Sequence, residues 1–189
     1  MRVEKYLFAL MAGLVMLFSA CQDDDSFTVS PQYTLSFSSD TIKLDTVFSR
    51  IPTATKTIWV YNRSGDGIRC SNIRLENGNQ TGFRVNVDGI FLGASTGFQT
   101  SGVEIPNKDS IRVFVELTSP NNMNETPTKL EDNLVFTLES GVQQKVNINA
   151  YTWDATILDS LHVKSDTTIS STKPIVIRGG IRVDSAATL

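Results

Sequence analysis

The stretch that decides the fold is "VEIPNKDSIRVFVELTSP", residues 103–120. In its second half Ile111, Val113, Val115 and Leu117 fall on one side of an extended chain, and Arg112, Phe114 and Glu116 on the other. A period of two is that of a strand with one apolar face. Pro106-Asn107-Lys108-Asp109 ahead of it reads as a turn, because proline presets φ and Asn and Asp bond back to their own backbone.

Working outward, the same alternation recurs in Tyr33-Leu35-Phe37, Ile42-Leu44, Ile58-Val60, Phe83-Val85-Val87, Leu134-Phe136-Leu138 and Val146-Ile148-Ala150. Turn clusters separate the runs, among them Asn62 to Gly67, Glu76 to Asn79 and Ser140-Gly141. No stretch after residue 20 carries helical periodicity with caps, so the chain predicts an all-β fold. Many short strands with one apolar face each must bury those faces against one another, and two stacked sheets do so. Residues 32–153 are therefore expected to form an antiparallel β-sandwich. A domain of this size buries roughly two thirds of its unfolded surface, enough for one core.

The order of the pieces adds a resemblance. "TKTIWVYN" at 55–62, the runs 68–75 and 83–87, the stretch 103–120, "LEDNLVFTLES" at 130–140 and "VQQKVNINAY" at 142–151 together resemble an immunoglobulin-like domain of the ASPM-SPD-2-Hydin type. The resemblance implies a binding and scaffolding module and brings no catalytic residues with it.

Ahead of the sandwich, Arg2 and Lys5 precede an apolar run from Tyr6 to Phe18, which has the length of a signal-peptide core and is short for a membrane span. An uncleaved anchor is the alternative. Leu17-Phe18-Ser19-Ala20-Cys21 resembles the lipobox of bacterial lipoproteins, which implies cleavage after residue 20 and acyl chains on Cys21. Two or three chains, at about 0.8 kcal/mol per buried CH2, give durable anchoring where one does not. Gln22-Asp23-Asp24-Asp25 is similar to the acidic sorting signal that follows the lipidated cysteine in surface lipoproteins of the Bacteroidetes. That likeness implies the outer face of the outer membrane; a plain solvated tether over residues 21–31 is the other reading.

Beyond Trp153 the composition shifts. Residues 154–173 read as a polar linker, and "PIVIRGGIRVDSAATL" at 174–189 then alternates around Gly179-Gly180. That last piece resembles the entry coil of a right-handed parallel β-helix, with a β-hairpin added to the sandwich edge as the alternative. One coil cannot bury its own faces, so continuation of the natural protein past Leu189 is expected.

The search for chemistry returns little. His162 is the only histidine, so any Ser-His-Asp arrangement must use it, and its place in a polar stretch reads as an ordinary surface histidine. Cys70 alternates with Ile68 and reads as a small buried hydrophobe; with Cys21 lipidated it has no disulfide partner. No spacing suits a metal, no glycine-rich phosphate cradle precedes a helix, and no cofactor is expected. Glu131 and Asp132 are expected on opposite faces or in solvent. The formal net charge of −3, without a basic stripe, excludes nucleic acid as a partner. Trp59, Tyr61, Tyr151 and Trp153 offer a sugar-stacking platform if they share an exposed face; otherwise they close the core.

Asp followed by Ser or Thr recurs, which matches an O-glycosylation motif of exported Bacteroidetes proteins and marks Thr41, Thr46, Ser110, Ser160, Thr167 and Ser185 as candidates. The plain alternative is that Asp-Ser/Thr starts strands through side-chain to backbone bonds. Sequons at Asn62, Asn79 and Asn124 carry no weight without the matching transferase. Three functions follow from the sequence. The first is a non-catalytic, surface-exposed lipoprotein that binds a glycan or protein ligand. The others are the non-catalytic N-terminal module of a β-helix carbohydrate-active enzyme, and a subunit of an adhesin or fimbrial assembly.

Overall fold

The computed structural model describes residues 26–189 except Asn79, Asn122, Asn124 and Glu125. Cys21 and the acidic Gln22, Asp23, Asp24 and Asp25 lie outside the described residues, as do the signal segment and two of the three sequons. Two sheets stack face to face, as the strand periodicity requires. One is five-stranded, in the order β2 (Leu35–Phe37), β4 (Lys56–Asn62), β10 (Ser110–Leu117), β6 (Phe83–Val87), β7 (Ile90–Phe91). The other runs β1 (Phe27–Thr28), β5 (Gly67–Leu75), β11 (Thr128–Leu138), β12 (Gln143–Trp153), β3 (Thr41–Phe48), with β8 (Gln99–Thr100) and β9 (Val103–Ile105) also on β5. Helix among the described residues is one 3-10 turn, Ala94–Thr96.

The alternation of β10 fills the space between the sheets: Ile111, Val113, Val115 and Leu117 are buried, and Arg112 is exposed. Val60, Val85, Ile73, Leu134 and Ile148 meet them in one core, and Phe37 tilts against Phe136 with ring centroids 5.2 Å apart. Each fully buried aliphatic or aromatic side chain contributes about 1.5–3 kcal/mol. On β5 the inward phase slips, from Ile68 and Cys70 to Ile73 and Leu75. A bulge causes this, because Thr137 faces Asn72 while the next residue, Leu138, faces Cys70.

Most pairings are antiparallel, as expected, but two are not: β1 lies parallel to β5 and β3 parallel to β12. A parallel neighbour needs a long crossover, and between β3 and β12 the rest of the sandwich supplies it. Asp45, at φ 59, marks the irregularity where the β3–β12 register shifts.

Residues 154–173 differ from the expected linker, since they open with strands β13 (Thr156–Leu158) and β14 (Leu161–Val163). β13 pairs in parallel with β15 (Ile175–Ile177), and β14 in parallel with β16 (Ile181–Val183). A hairpin would pair β15 with β16 antiparallel; these strands instead stack on residues roughly 20 earlier in the chain. The corner between them stacks as well. Arg178 N donates to Leu158 O at 2.9 Å, Gly179 N to Asp159 O at 2.5 Å and Leu161 N to Gly180 O at 3.1 Å. Gly179 is required there, because a Cβ would stand 2.4 Å from that Asp159 oxygen.

Candidate binding surface

The outward positions of the five-stranded sheet follow from the register of β10. Arg112 lies opposite Trp59, Phe114 between Thr57 and Asn86, and Glu116 opposite Arg84. The Trp59 and Tyr61 rings stand stacked, with centroids 6.4 Å apart and planes 14° from parallel. Guanidinium groups cover the rings: Arg63 lies 4.7 Å from the Tyr61 centroid, Arg112 4.9 Å from Trp59 and Arg84 5.8 Å from Phe91. All three arginines are exposed. Among the described residues, no carboxylate lies within ion-pairing distance of any of them. Glu116 is nearby but takes a hydrogen bond from Thr55 Oγ1 at 2.5 Å. A depression of about 160 Å³ lies between Phe91, Phe114, Arg84 and Asn86. An exposed guanidinium over a ring retains N–H donors suited to carboxylate or sulfate.

The other sheet's outer face has opposite character. Lys145 Nζ donates to Glu76 Oε1 at 2.6 Å, Asn133 Nδ2 to Glu76 Oε2 at 2.7 Å and Asn147 Nδ2 to Glu131 Oε1 at 2.9 Å. The Lys145 and Asn133 donors hold the Glu76 carboxyl below its ordinary value of 4.5, and Lys129 does the same for Glu131. Arg69, over Phe27, is paired with Glu104 and Glu139. Much of the charge on this face is thus paired within it.

The four aromatic residues do not form one platform. Trp59 and Tyr61 belong to the five-stranded sheet, Tyr151 and Trp153 to β12 in the other. Trp59 and Tyr61 stand stacked with arginines beside their rings, and Trp59 remains exposed.

His162 Nε2 lies 2.9 Å from Asp184 Oδ1, bridging one coil to the next. Ser160 borders the same hollow but makes no hydrogen bond to the imidazole, so no Ser-His-Asp relay is assembled. Cys70 is fully buried and free, and burial pushes its thiol up to about 12. Glu131 points outward, as expected. Asp132 is buried, accepting from Asn77 N, Asn133 N and Thr81 Oγ1 at 2.7–3.1 Å, and so fixes the turn after β5. Asn62 is wholly buried, its amide donating to Asp66 O at 2.8 Å and Ile105 O at 2.9 Å. Among the described residues no three metal-ligating side chains cluster. Of the candidate glycosylation positions, Thr46, Ser160, Thr167 and Ser185 are exposed, whereas Thr41 and Ser110 are half-buried.

The sequence reading did not single out Arg63, Arg84 and Arg112. The outward phase of Arg112 beside Phe114 was a usable signal. Arg84 joins it only through cross-strand register, which no local pattern carries, and Arg63 lies two residues past Tyr61, over whose ring it stands.

No family model and no curated protein matches the sequence. Similar solved structures include a protein of unknown function from Porphyromonas gingivalis, at 14% identity and TM-score 0.41, covering 70% of this chain and 59% of that one. An ASH/PapD-like domain of human CEP192 is similar at 8% identity and TM-score 0.38, covering 72% and 96%. The Escherichia coli chaperone DraB is similar at 8% identity and TM-score 0.39, covering 65% and 55%. The chain thus spans less than two thirds of the Porphyromonas protein and of the chaperone.

Proposed function

We propose that this chain is a non-catalytic, lipid-anchored module of the outer membrane, a sandwich that carries a stacked parallel β-coil, the start of a β-helix, away from the membrane. The observation that supports it most is the pair of short parallel ladders, Thr156–Leu158 on Ile175–Ile177 and Leu161–Val163 on Ile181–Val183. Parallel stacking at a near-constant offset is the repeat geometry of a solenoid. The lipobox reading of Cys21 supplies the anchor, and Gln22 to Asp25 the surface sorting. Fractionation of cells expressing the wild type and Cys21→Ala tests it: the wild type belongs in the outer membrane and is shaved by added protease, the variant is released. Wild-type protein soluble in the periplasm would remove the reading.

The same ladders favour one other role, the accessory N-terminal module of a β-helix carbohydrate-active enzyme. Polysaccharide cleavage by the protein purified from its native membrane, with products followed by chromatography, decides between the two.

A further inference from the structure

The geometry points to the outer face of the five-stranded sheet as a binding site for an acidic polysaccharide, its carboxylates or sulfates taken by Arg63, Arg112 and Arg84. This deepens the reading of the chain as a binding module by naming the class of ligand.

The three arginines form a row. Arg63 follows the end of β4, four residues on from Trp59, the partner of Arg112, and Arg84 lies opposite Glu116, four residues along β10 from Arg112. With about 3.3 Å per residue and about 4.8 Å between strands, the Cα atoms of Arg112 and Arg84 stand about 14 Å apart, and Arg63 lies beyond the end of β4 on the far side of Arg112. Each guanidinium is held by a ring beneath it and lacks an acidic partner among the described residues. On the opposite sheet Arg69, which also lies over a ring, is by contrast paired with Glu104 and Glu139.

What lies between the arginines bears on the class of polyanion. Ser110 flanks Tyr61, Thr57 and Asn86 flank Phe114, and one carboxylate, Glu116, lies opposite Arg84, so hydroxyl and amide groups separate charges that are sparse and mostly positive. A polymer rich in hydroxyls with sparse anions matches that order. Nucleic acid carries a phosphate at every step and is met by a dense basic surface, which a chain of net charge −3 lacks. An anionic bilayer calls for clustered basic residues beside apolar side chains free to insert; here Phe91 is exposed beside Arg84, but Arg84 and Arg112 stand about 14 Å apart and form no cluster.

Calorimetry of the purified full-length protein in detergent, titrated with polygalacturonate, alginate, hyaluronate and chondroitin sulfate, tests the site. At least one is expected to bind saturably, with affinity falling as salt rises. Where polygalacturonate is the binder, its fully methyl-esterified form should not bind. Arg63→Gln and Arg112→Gln should each weaken binding about tenfold and the triple variant with Arg84→Gln about a hundredfold or more, while Arg69→Gln changes nothing. Melting curves check that the variants fold, and if the triple variant does not, the two single variants carry the test. Wild-type protein that ignores all four polymers overturns the inference. So does a folded triple variant that binds as tightly, or binding only to phosphatidylglycerol vesicles or single-stranded DNA. Anchoring is scored separately by Cys21→Ala fractionation, so either reading can fail alone.

Discussion

The hydroxyl of Ser49 donates to Asp154 Oδ1 at 2.6 Å, joining residues 105 positions apart, and both side chains are buried. Ser49 N also donates to Trp153 O, and Lys173 Nζ stands 3.6 Å from Asp154 Oδ2. This cluster ties the end of β3 to the point where the chain leaves the sandwich for the coil. Asp154→Ala strands a buried hydroxyl and loosens the lysine, with an expected loss of about 2–3 kcal/mol in urea unfolding. Ser49→Ala should cost about 1 kcal/mol. Limited proteolysis should then cut Asp154→Ala near residue 155 while the wild type resists.

Asn62 ties the turn between β4 and β5 to the end of β9 with one amide. Besides donating to Asp66 O and Ile105 O, its Oδ1 accepts from Ser64 N at 3.0 Å and Ser64 Oγ at 2.5 Å. Asn62→Ala takes the amide from the buried Ile105 carbonyl and from the half-buried turn around Ser64 and Asp66. The expected cost is about 2–3 kcal/mol by denaturant titration. A glycan on this sequon is incompatible with the fold, so peptide mapping should find Asn62 bare.

Such residues show where the sequence is legible. The inward set of β10 could be read from residues 110–117 alone, because alternation is local. The partner of β3 could not, since a parallel neighbour about a hundred residues away leaves no local mark. On β5 alternation itself misleads beyond Cys70, where the bulge at Ser71-Asn72 reverses the phase. The strands Thr156–Leu158 and Leu161–Val163 fell within an apparent linker because three residues are too few for a period to emerge from a Thr/Ser-rich background. The arginine row was hidden for a related reason. Its members lie on three segments whose alignment exists only in the folded sheet.

Gly179 tests the coil independently of the sandwich. A methyl group at this position meets the Asp159 carbonyl, which also accepts the Gly179 N–H. Gly179→Ala should separate the stacked corners, and hydrogen exchange should show lost protection at Arg178 and Leu161 with β10 unchanged. Gly180, at φ +94 with open space around it, should tolerate alanine at a backbone cost of about 1 kcal/mol.

Accessibility ranks the candidate glycosylation positions. Thr46, Ser160, Thr167 and Ser185 are exposed, while Ser110 is half-buried in β10 opposite Tyr61, and Thr41 is half-buried opposite Asn147. If the native protein carries O-glycans, peptide mapping should place them on the exposed four. Glycan on Ser110 would crowd the Tyr61 end of the arginine row. A single unmodified intact mass for the protein from its native membrane removes the modification altogether.

Cys70 offers a readout of core integrity. Burial raises its thiol from an ordinary value of 9.0 to about 12, because the thiolate would lose its hydration. Below pH 9 the proton is held in folded and unfolded chain alike, so Cys70 adds nothing to the pH dependence there. Between about 9 and about 12 the unfolded chain releases a proton that the folded chain retains, so stability falls as pH rises through this window. The urea midpoint of the wild type is therefore expected to drop more steeply above pH 9 than that of Cys70→Ala, which lacks the group. At pH 8 a thiol reagent should label the native protein only as fast as it unfolds, and label it at once in urea. Immediate labelling of the folded chain would mean that β5 does not pack Cys70 into the core.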